Sequence, residues 1–450
     1  EIGSGLVGSE MCIRDSLSLT SCAILLSLST VAYAEDIEPA YTLTRVDSKG
    51  ENTITKFEWN SELNKMVPIY YRVDLNQTEY GSGDGVKYFK WDKTDKLKLV
   101  ETTNSAEAEI TAKYDTTKLQ NRLKNTTDNS ATNIEGGSFV NQTTGSTSGY
   151  QYGGAIFNQG SSAKLGDITG DFIGNYAAGK YAYGGAIYND GTIGDITGDF
   201  IGNYASAGGG AIYNYDGTIG DITGDFIGNY AAASGEYAEA AGGAICNLYG
   251  TIGQTTPDGN IMPDSGIVNS SFINNYASAN GENGFAMGGA IMTTDLNIVA
   301  KDGYTSVFSG NYTEANGVKD DNAITVMGIP QVGGGEEEAK IVSAPTQPFM
   351  TGTLNFEMQN GGKFVMADNI RGEAEPQPTS LESIMAPESY KVNITGDNID
   401  NTTFYMLNDM YDANLSVGNT TLNTINDSVH NYALNSFTLT NDIKMAVDVD

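Results

Sequence analysis

The sequence predicts an all-β solenoid, a parallel β-helix of about 25 residues per rung preceded by a β-rich N-terminal cap, and three observations predict it. The string GDITGDFIGNYA occurs unchanged from Gly166, from Gly194 and from Gly220. A Gly-Gly-Ala-Ile motif recurs as Gly153-Gly154-Ala155-Ile156, Gly184-Gly185-Ala186-Ile187, Gly209-Gly210-Ala211-Ile212, Gly242-Gly243-Ala244-Ile245 and Gly288-Gly289-Ala290-Ile291. A Phe-x-x-Asn motif travels with it, as Phe172 with Asn175, Phe200 with Asn203, Phe226 with Asn229, Phe272 with Asn275 and Phe308 with Asn311, its phenylalanines 28, 26, 46 and 36 residues apart. Phe139 begins a degenerate earlier copy. Helix is disfavoured by the lack of a 3.6-residue apolar period and by glycine every few positions, each costing about 1 kcal/mol in a helix interior.

Taken in order, residues 1–34 stand outside the fold. Leu17 to Ala34 is an uncharged stretch with an apolar centre ending in Ala32-Tyr33-Ala34, the small-x-small pattern of a secretory leader, so cleavage is expected between Ala34 and Glu35. The segment is too short and serine-rich for a stable span of ~30 Å. Upstream, residues 1–16 resemble a translated adapter scar, although Met11 with Arg14 could also open a genuine leader. Removing the leader removes Cys12 and Cys22 and leaves Cys246, which stands where other repeats carry Tyr188 or Tyr213 and reads as a core substitution. A mature chain with one cysteine has no disulfide framework.

Residues 35–130 hold short β-like runs, Lys56 to Trp59, Ile69 to Val73 and Val86 to Trp91, punctuated by Gly81-Ser82-Gly83-Asp84-Gly85. They read as hairpins placed to cover the open end of the solenoid, with a receptor-binding head as the competing assignment. Residues 131–328 are the repeats. Cut at its glycines, the unit Phe200 to Asp225 gives three segments, Phe200 to Ala205, Ala211 to Asn214 and Thr218 to Thr223, rich in β-branched and aromatic residues: a three-sided rung. Stacking would set Ile212 beside Ile187 and Ile245, and Tyr204 beside Tyr176 and Tyr230, ~4.8 Å apart. Repeated asparagines would bond from rung to rung. Both alternate sets of FIGNYA contain apolar residues, so pattern leaves the inward face open, and a turn at Gly-Asn would flip the alternation. Residues 329–450 read as divergent rungs, at Thr351 to Phe356, Lys391 to Gly396 and Asn414 to Thr421, interrupted by proline-rich loops.

Composition narrows the function. The chain carries a formal net charge of -32 with 24 basic residues against 56 acidic, so its field repels nucleic acid and anionic headgroups. Paired carboxylates, Asp167 with Asp171, Asp195 with Asp199 and Asp221 with Asp225, invite calcium or glycosidase readings. A catalytic pair should be singular, whereas these are copied from unit to unit as turn positions are. His430 is the sole histidine, which removes a nucleophilic triad in the repeats and a histidine-bearing zinc site. No phosphate-binding loop is present. Neither a catalytic residue nor a cofactor or metal site is expected.

The paired Gly-Gly-Ala-Ile and Phe-x-x-Asn motifs, from about Ile134 to Tyr312, resemble the repeats of chlamydial polymorphic outer-membrane proteins and related autotransporter passengers. The resemblance implies export by a signal peptide, a right-handed parallel β-helix displayed at the bacterial cell surface, and adhesion. It also implies a C-terminal outer-membrane β-barrel, whose ten-residue alternating strands are absent before Asp450, so membrane attachment is expected only through such a missing barrel. The leading expectation is a secreted, surface-displayed adhesin-like binding or structural module, not an enzyme, whose ligand is a protein or glycan of a host or neighbouring cell. Its contacts would lie on rung faces and on inter-rung loops such as Ala232 to Ala241 and Thr255 to Ser265, with Tyr181, Tyr183 and Tyr237 either touching ligand or packing within aromatic ladders. The alternatives are a β-helical polysaccharide-active hydrolase or lyase, and a passive spacer.

Overall fold

The structure, a computed structural model, describes residues 11–13, 42–46, 52–60, 65–70, 73–75, 84–92, 98–107, 110–130, 132–145, 149–328, 352–374, 390–406, 410–411, 413–423 and 434–446. Ala34, Glu35, His430 and the proline-rich stretches 329–351 and 375–389 lie outside the described residues.

From Leu123 onward the chain winds into a parallel β-helix. Each short strand pairs in parallel with its equivalent one coil further on: Ile156 with Ile187, Ile187 with Ile212, Ile212 with Ile245, and Ile245 with Ile291. The same holds for Phe139, Phe172, Phe200, Phe226, Phe272 and Phe308 in succession. The Phe-Ile strands belong to an eleven-stranded sheet that runs on through Lys363–Met366 and Thr403–Met406 to Ile443–Ala446, with Met11–Ile13 added antiparallel at that far edge. The Ile-Thr strands begin a nine-stranded sheet that continues through Thr353–Gln359, Tyr390–Gly396 and Ala413–Gly418, so the divergent segments are further rungs.

Two segments expected as single strands are each two. FIGNYA splits into Phe200–Ile201 and Tyr204–Ala205 at Gly202, whose φ of +60° turns the corner. TIGDIT splits into Thr218–Ile219, on the wall of the Gly-Gly-Ala-Ile strands, and Ile222–Thr223 on the next. The rung therefore has four walls rather than three, the fourth being the Tyr-Ala strands. Asn141 and Asn274 replace glycine at that left-handed corner, with φ of +53° and +51°, because asparagine is the side chain that best tolerates it.

The corner settles which side chains face inward. Phe200 points into the core and Ile201 outward; after the turn Asn203 is buried, Tyr204 turns towards solvent and Ala205 is buried. Inside, the phenylalanine rings from Phe139 to Phe272 stack face to face, 4.6 to 5.0 Å between centroids and within 3° of parallel. Isoleucines Ile187, Ile212 and Ile245, and Ile196, Ile222 and Ile267, form the facing columns. Each fully buried side chain of this size contributes roughly 1.5–3 kcal/mol by leaving water.

The Gly-Gly pair is demanded by backbone proximity. Gly209 has φ of +61°, and a Cβ there would run into the Ile212 carbonyl; a Cβ on Gly210 would strike the Gly243 carbonyl of the next rung.

The N-terminal region is β-rich, with antiparallel strands at Thr42–Val46, Asn52–Asn60 and Lys65–Tyr70 and a four-stranded sheet built on Asp84–Asp92. That second sheet lies against the flank of the solenoid. Phe89, Leu99 and Ala112 cover the outward isoleucines Ile173, Ile201, Ile227 and Ile273, a stripe that water would otherwise meet. Lys87, 6% exposed, bonds Glu101 at 2.6 Å and reaches Asn141 of the first rung at 2.8 Å. At the first-rung edge, Arg122 donates to the carbonyls of Gly153 and Tyr152 at 3.0 and 2.9 Å, supplying bonds that a preceding strand would have made.

Candidate binding surface

Residue columns on the described part of the solenoid divide into those that hold rungs together and those that face outward. The Phe-x-x-Asn asparagines are of the first kind. Nδ2 of Asn175, Asn203, Asn229 and Asn275 each donates to Oδ1 of the next, at 2.9, 2.8, 3.0 and 3.0 Å, and to a phenylalanine carbonyl one rung back. Oδ1 of each of Asn203, Asn229, Asn275 and Asn311 accepts the backbone N–H of the preceding asparagine. Every amide is thus satisfied at full burial. The column ends where Asn311 donates to buried Asp368, a pure acceptor that also takes the N–H groups of Gly310 and Asn311 at 2.9 Å.

A second asparagine column escaped the sequence reading. Asn125, Asn158, Asn189, Asn214 and Asn247 bond in succession at 2.7 to 2.8 Å, ending on Thr293 at 3.2 Å. Its signal was present as the Asn two residues past the Ile of Gly-Gly-Ala-Ile, at Asn158, Asn189, Asn214 and Asn247. The paired aspartates also bond along the axis: Asp167 accepts from the Asp195 N–H and Asp195 from that of Asp221, while Asp171 accepts from Asp199 and Asp199 from Asp225, at 2.9 to 3.0 Å. Among the described residues no group of three or more His, Cys, Asp or Glu is arranged to hold a metal ion.

One outward face of the solenoid is aromatic. Tyr150 stacks on Tyr181 at 5.2 Å, and Tyr152 contacts Phe157, Tyr183 and Tyr188 at 5.4, 6.1 and 4.6 Å. Tyr213 joins Tyr183 at 4.6 Å, Tyr188 at 5.7 Å and Tyr215 at 6.3 Å, and Tyr215 meets Tyr249 at 6.3 Å. The rings form one continuous surface, with Tyr150 60% exposed and Tyr181, Tyr215 and Tyr249 also open to solvent. Gly208 makes it continuous: it sits under the Tyr213 and Tyr183 rings, where a Cβ would press on both. Tyr181 and Tyr183 therefore pack within a ladder and also border solvent, while Tyr237, 70% exposed, stands apart at the tip of the Tyr230–Ala241 excursion.

Tyr249 stands at φ +58°, in the corner that Asp216 occupies one rung earlier at +53°. A bulky side chain in that conformation is strained by about 1–2 kcal/mol, and the ring it projects extends the aromatic surface. Carboxylates rim it. Burial lifts the phenols of Tyr183 and Tyr188 above their ordinary value, the charge of Glu239 adding at Tyr183 and that of Asp190 at Tyr188. Asp190 is itself raised, by burial and then by Asp216.

The two excursions expected as contact loops are ordered. Tyr230–Ser234 and Glu239–Ala241 pair in parallel with Tyr276–Asn280 and Phe285–Met287, and their facing sides are alanine: Ala231, Ala240, Ala277 and Ala279. Within Thr255 to Ser265, Thr255 bridges Ile261, and Asp264 N–H donates to Glu357 at 3.0 Å. Cys246 is buried among Met287, Met292 and Tyr213, in register with Tyr213. Among the described residues no helix is long and apolar enough to cross a membrane, which leaves β-barrels unaddressed. Comparison of the chain with protein-family models, with curated proteins and with solved structures finds no match.

Proposed function

We propose that the chain is the secreted, surface-displayed passenger of an autotransporter-type protein of the bacterial outer membrane, acting as an adhesin-like binding module. The observation that carries this is the continuous tyrosine surface on a rigid solenoid. Tyrosine supplies large contact area at small conformational cost, and an exposed aromatic patch of this kind marks a recognition surface. A passive spacer would have no reason to keep Tyr150, Tyr181, Tyr215 and Tyr249 exposed together, one of them on a strained backbone. The leader-like segment ending at Ala34 and the Gly-Gly-Ala-Ile and Phe-x-x-Asn repeats support the route to the surface.

Fluorescently labelled protein applied to cultured epithelial cells and to bacterial cells tests the module. The expected result is saturable binding that falls at least several-fold in Tyr150→Ser/Tyr181→Ser/Tyr215→Ser. Equal binding by that variant, or none by the parent, would remove the adhesive assignment.

Polysaccharide cleavage is the second reading, and Glu357 favours it. This half-buried carboxyl is not copied between rungs, and burial raises its pKa, against the lowering effect of the hydrogen bond from the Asp264 N–H. Reducing ends released from a glycan panel and lost in Glu357→Gln would establish it.

A further inference from the structure

The tyrosine surface also indicates the chemistry of its ligand, an inference that rests on the binding role just proposed. The protein seats its own ammonium groups on rings of this face. Lys180 Nζ lies 5.1 Å from the centroid of Tyr181, and Lys124 Nζ lies 5.4 Å from that of Phe157, in the column of Tyr188 and Tyr213. On the Tyr-Ala wall, Lys319 closes the tyrosine stack at 4.5 Å from Tyr312. Ring faces attract cations through their quadrupole, more strongly where carboxylates stand behind them.

Charge points the same way. Asp190, Asp216 and Glu239 rim the surface, within a chain of net charge -32. An anionic glycan or an acidic lipid headgroup would be repelled, and a neutral glycan, although its hydroxyls can donate to the carboxylates, would gain no long-range attraction from them. From Tyr150 to Tyr249 the rings follow the axis over rungs stacked ~4.8 Å apart, a length on the order of 15–20 Å that an extended segment of about six residues spans.

We propose that this surface binds a lysine-rich polypeptide segment of a partner protein, its ammonium groups seated on the faces and edges of Tyr150, Tyr181, Tyr183, Tyr213 and Tyr215 and paired with Asp190, Asp216 and Glu239. Long-range attraction steers the segment in, and the rings select lysine over neutral side chains.

The test is titration of the full chain with an end-blocked hexalysine peptide in 150 mM salt, with an uncharged hexasaccharide and end-blocked hexaglutamate in parallel. Hexalysine is expected to bind, and its affinity to fall by about tenfold or more in Tyr150→Ser/Tyr181→Ser/Tyr215→Ser. The corresponding Tyr→Phe triple should stay within about twofold of the parent, since the ring faces remain. Asp190→Asn/Glu239→Gln should weaken binding, and Asp400→Asn, an exposed charge several rungs away, should not. Equal binding of hexalysine by the Tyr→Ser triple and by Asp400→Asn would reduce the effect to net charge and overturn the proposal. Hexasaccharide binding without hexalysine binding would overturn the cationic ligand and leave the adhesive surface standing. Failure of every probe, with cell adhesion unaffected in the Tyr→Ser triple, would remove both.

Discussion

Asn203 is the sharpest place to perturb the rung-to-rung bonding. Its side chain is fully buried and makes four hydrogen bonds: Nδ2 donates to Phe172 O at 2.9 Å and Asn229 Oδ1 at 2.8 Å, and Oδ1 accepts from Asn175 N and Nδ2 at 2.9 Å. Asn203→Ala removes all four and leaves the Asn175 N–H without its acceptor inside the core. A buried group stripped of its partner costs about 1–3 kcal/mol. With the cavity added, the variant should lose about 3–5 kcal/mol. Asn203→Asp should be no milder, because its carboxylate would face the Asn229 oxygen and the Phe172 carbonyl without a proton to give. An acidic side chain succeeds only at the terminus, as Asp368 does. Urea unfolding followed by far-UV circular dichroism, with exposed Thr197→Ala as the control, measures the cost. A loss below about 1 kcal/mol in Asn203→Ala, or an Asn203→Asp variant as stable as the parent, would refute a bonded amide column.

Three further outcomes are expected. Tyr249→Asn should raise stability by about 1 kcal/mol in the same assay, because asparagine accepts the left-handed corner, while weakening hexalysine binding. Arg122→Ala should expose the first-rung edge at Tyr152 and Gly153, lowering the melting temperature and producing end-to-end oligomers by light scattering; a strictly monomeric variant of unchanged melting temperature would contradict the edge-capping role. Asp190 and Glu357 have folded pKa values raised above 3.8 and 4.5, so each penalises the folded state above its raised value and the penalty is relieved as pH falls through it. As pH is lowered from 7 and these carboxyls take up protons, the melting temperature should rise, and rise less in Glu357→Gln than in the parent; an identical pH response in Glu357→Gln would oppose the assignment.

Much of the fold was legible because repetition leaves little freedom. Identical strings such as GDITGDFIGNYA can share one environment only if translated along an axis, and Phe172, Phe200 and Phe226 then fall in one column. The corner inside FIGNYA was visible only as an ambiguity, since a left-handed glycine reverses the alternation and pattern cannot distinguish that from a wider strand. The flank docking of the N-terminal sheet was hidden because Ile173 and Ile201 look like core residues when the inward face is unknown. Arg122 was hidden because edge capping depends on which strand lacks a neighbour. Tyrosines Tyr181 and Tyr183 could be singled out from sequence, but not their continuity with Tyr213, which depends on Gly208 leaving room. Glu357 approaches Asp264 only because an excursion folds back over the outer face.

The central claim is that equivalent residues of successive coils lie directly beside each other, and cysteine pairing tests it most directly. Thr169 and Thr197 are exposed strand partners in adjacent rungs, and Thr223 is one rung further along. With Cys12, Cys22 and Cys246 replaced, Thr169→Cys/Thr197→Cys should close a disulfide on mild oxidation, its Cα atoms being ~5 Å apart, whereas Thr169→Cys/Thr223→Cys, at roughly twice that, should not. Crosslinking of the distant pair, or failure of the adjacent one, would contradict the stacked coil.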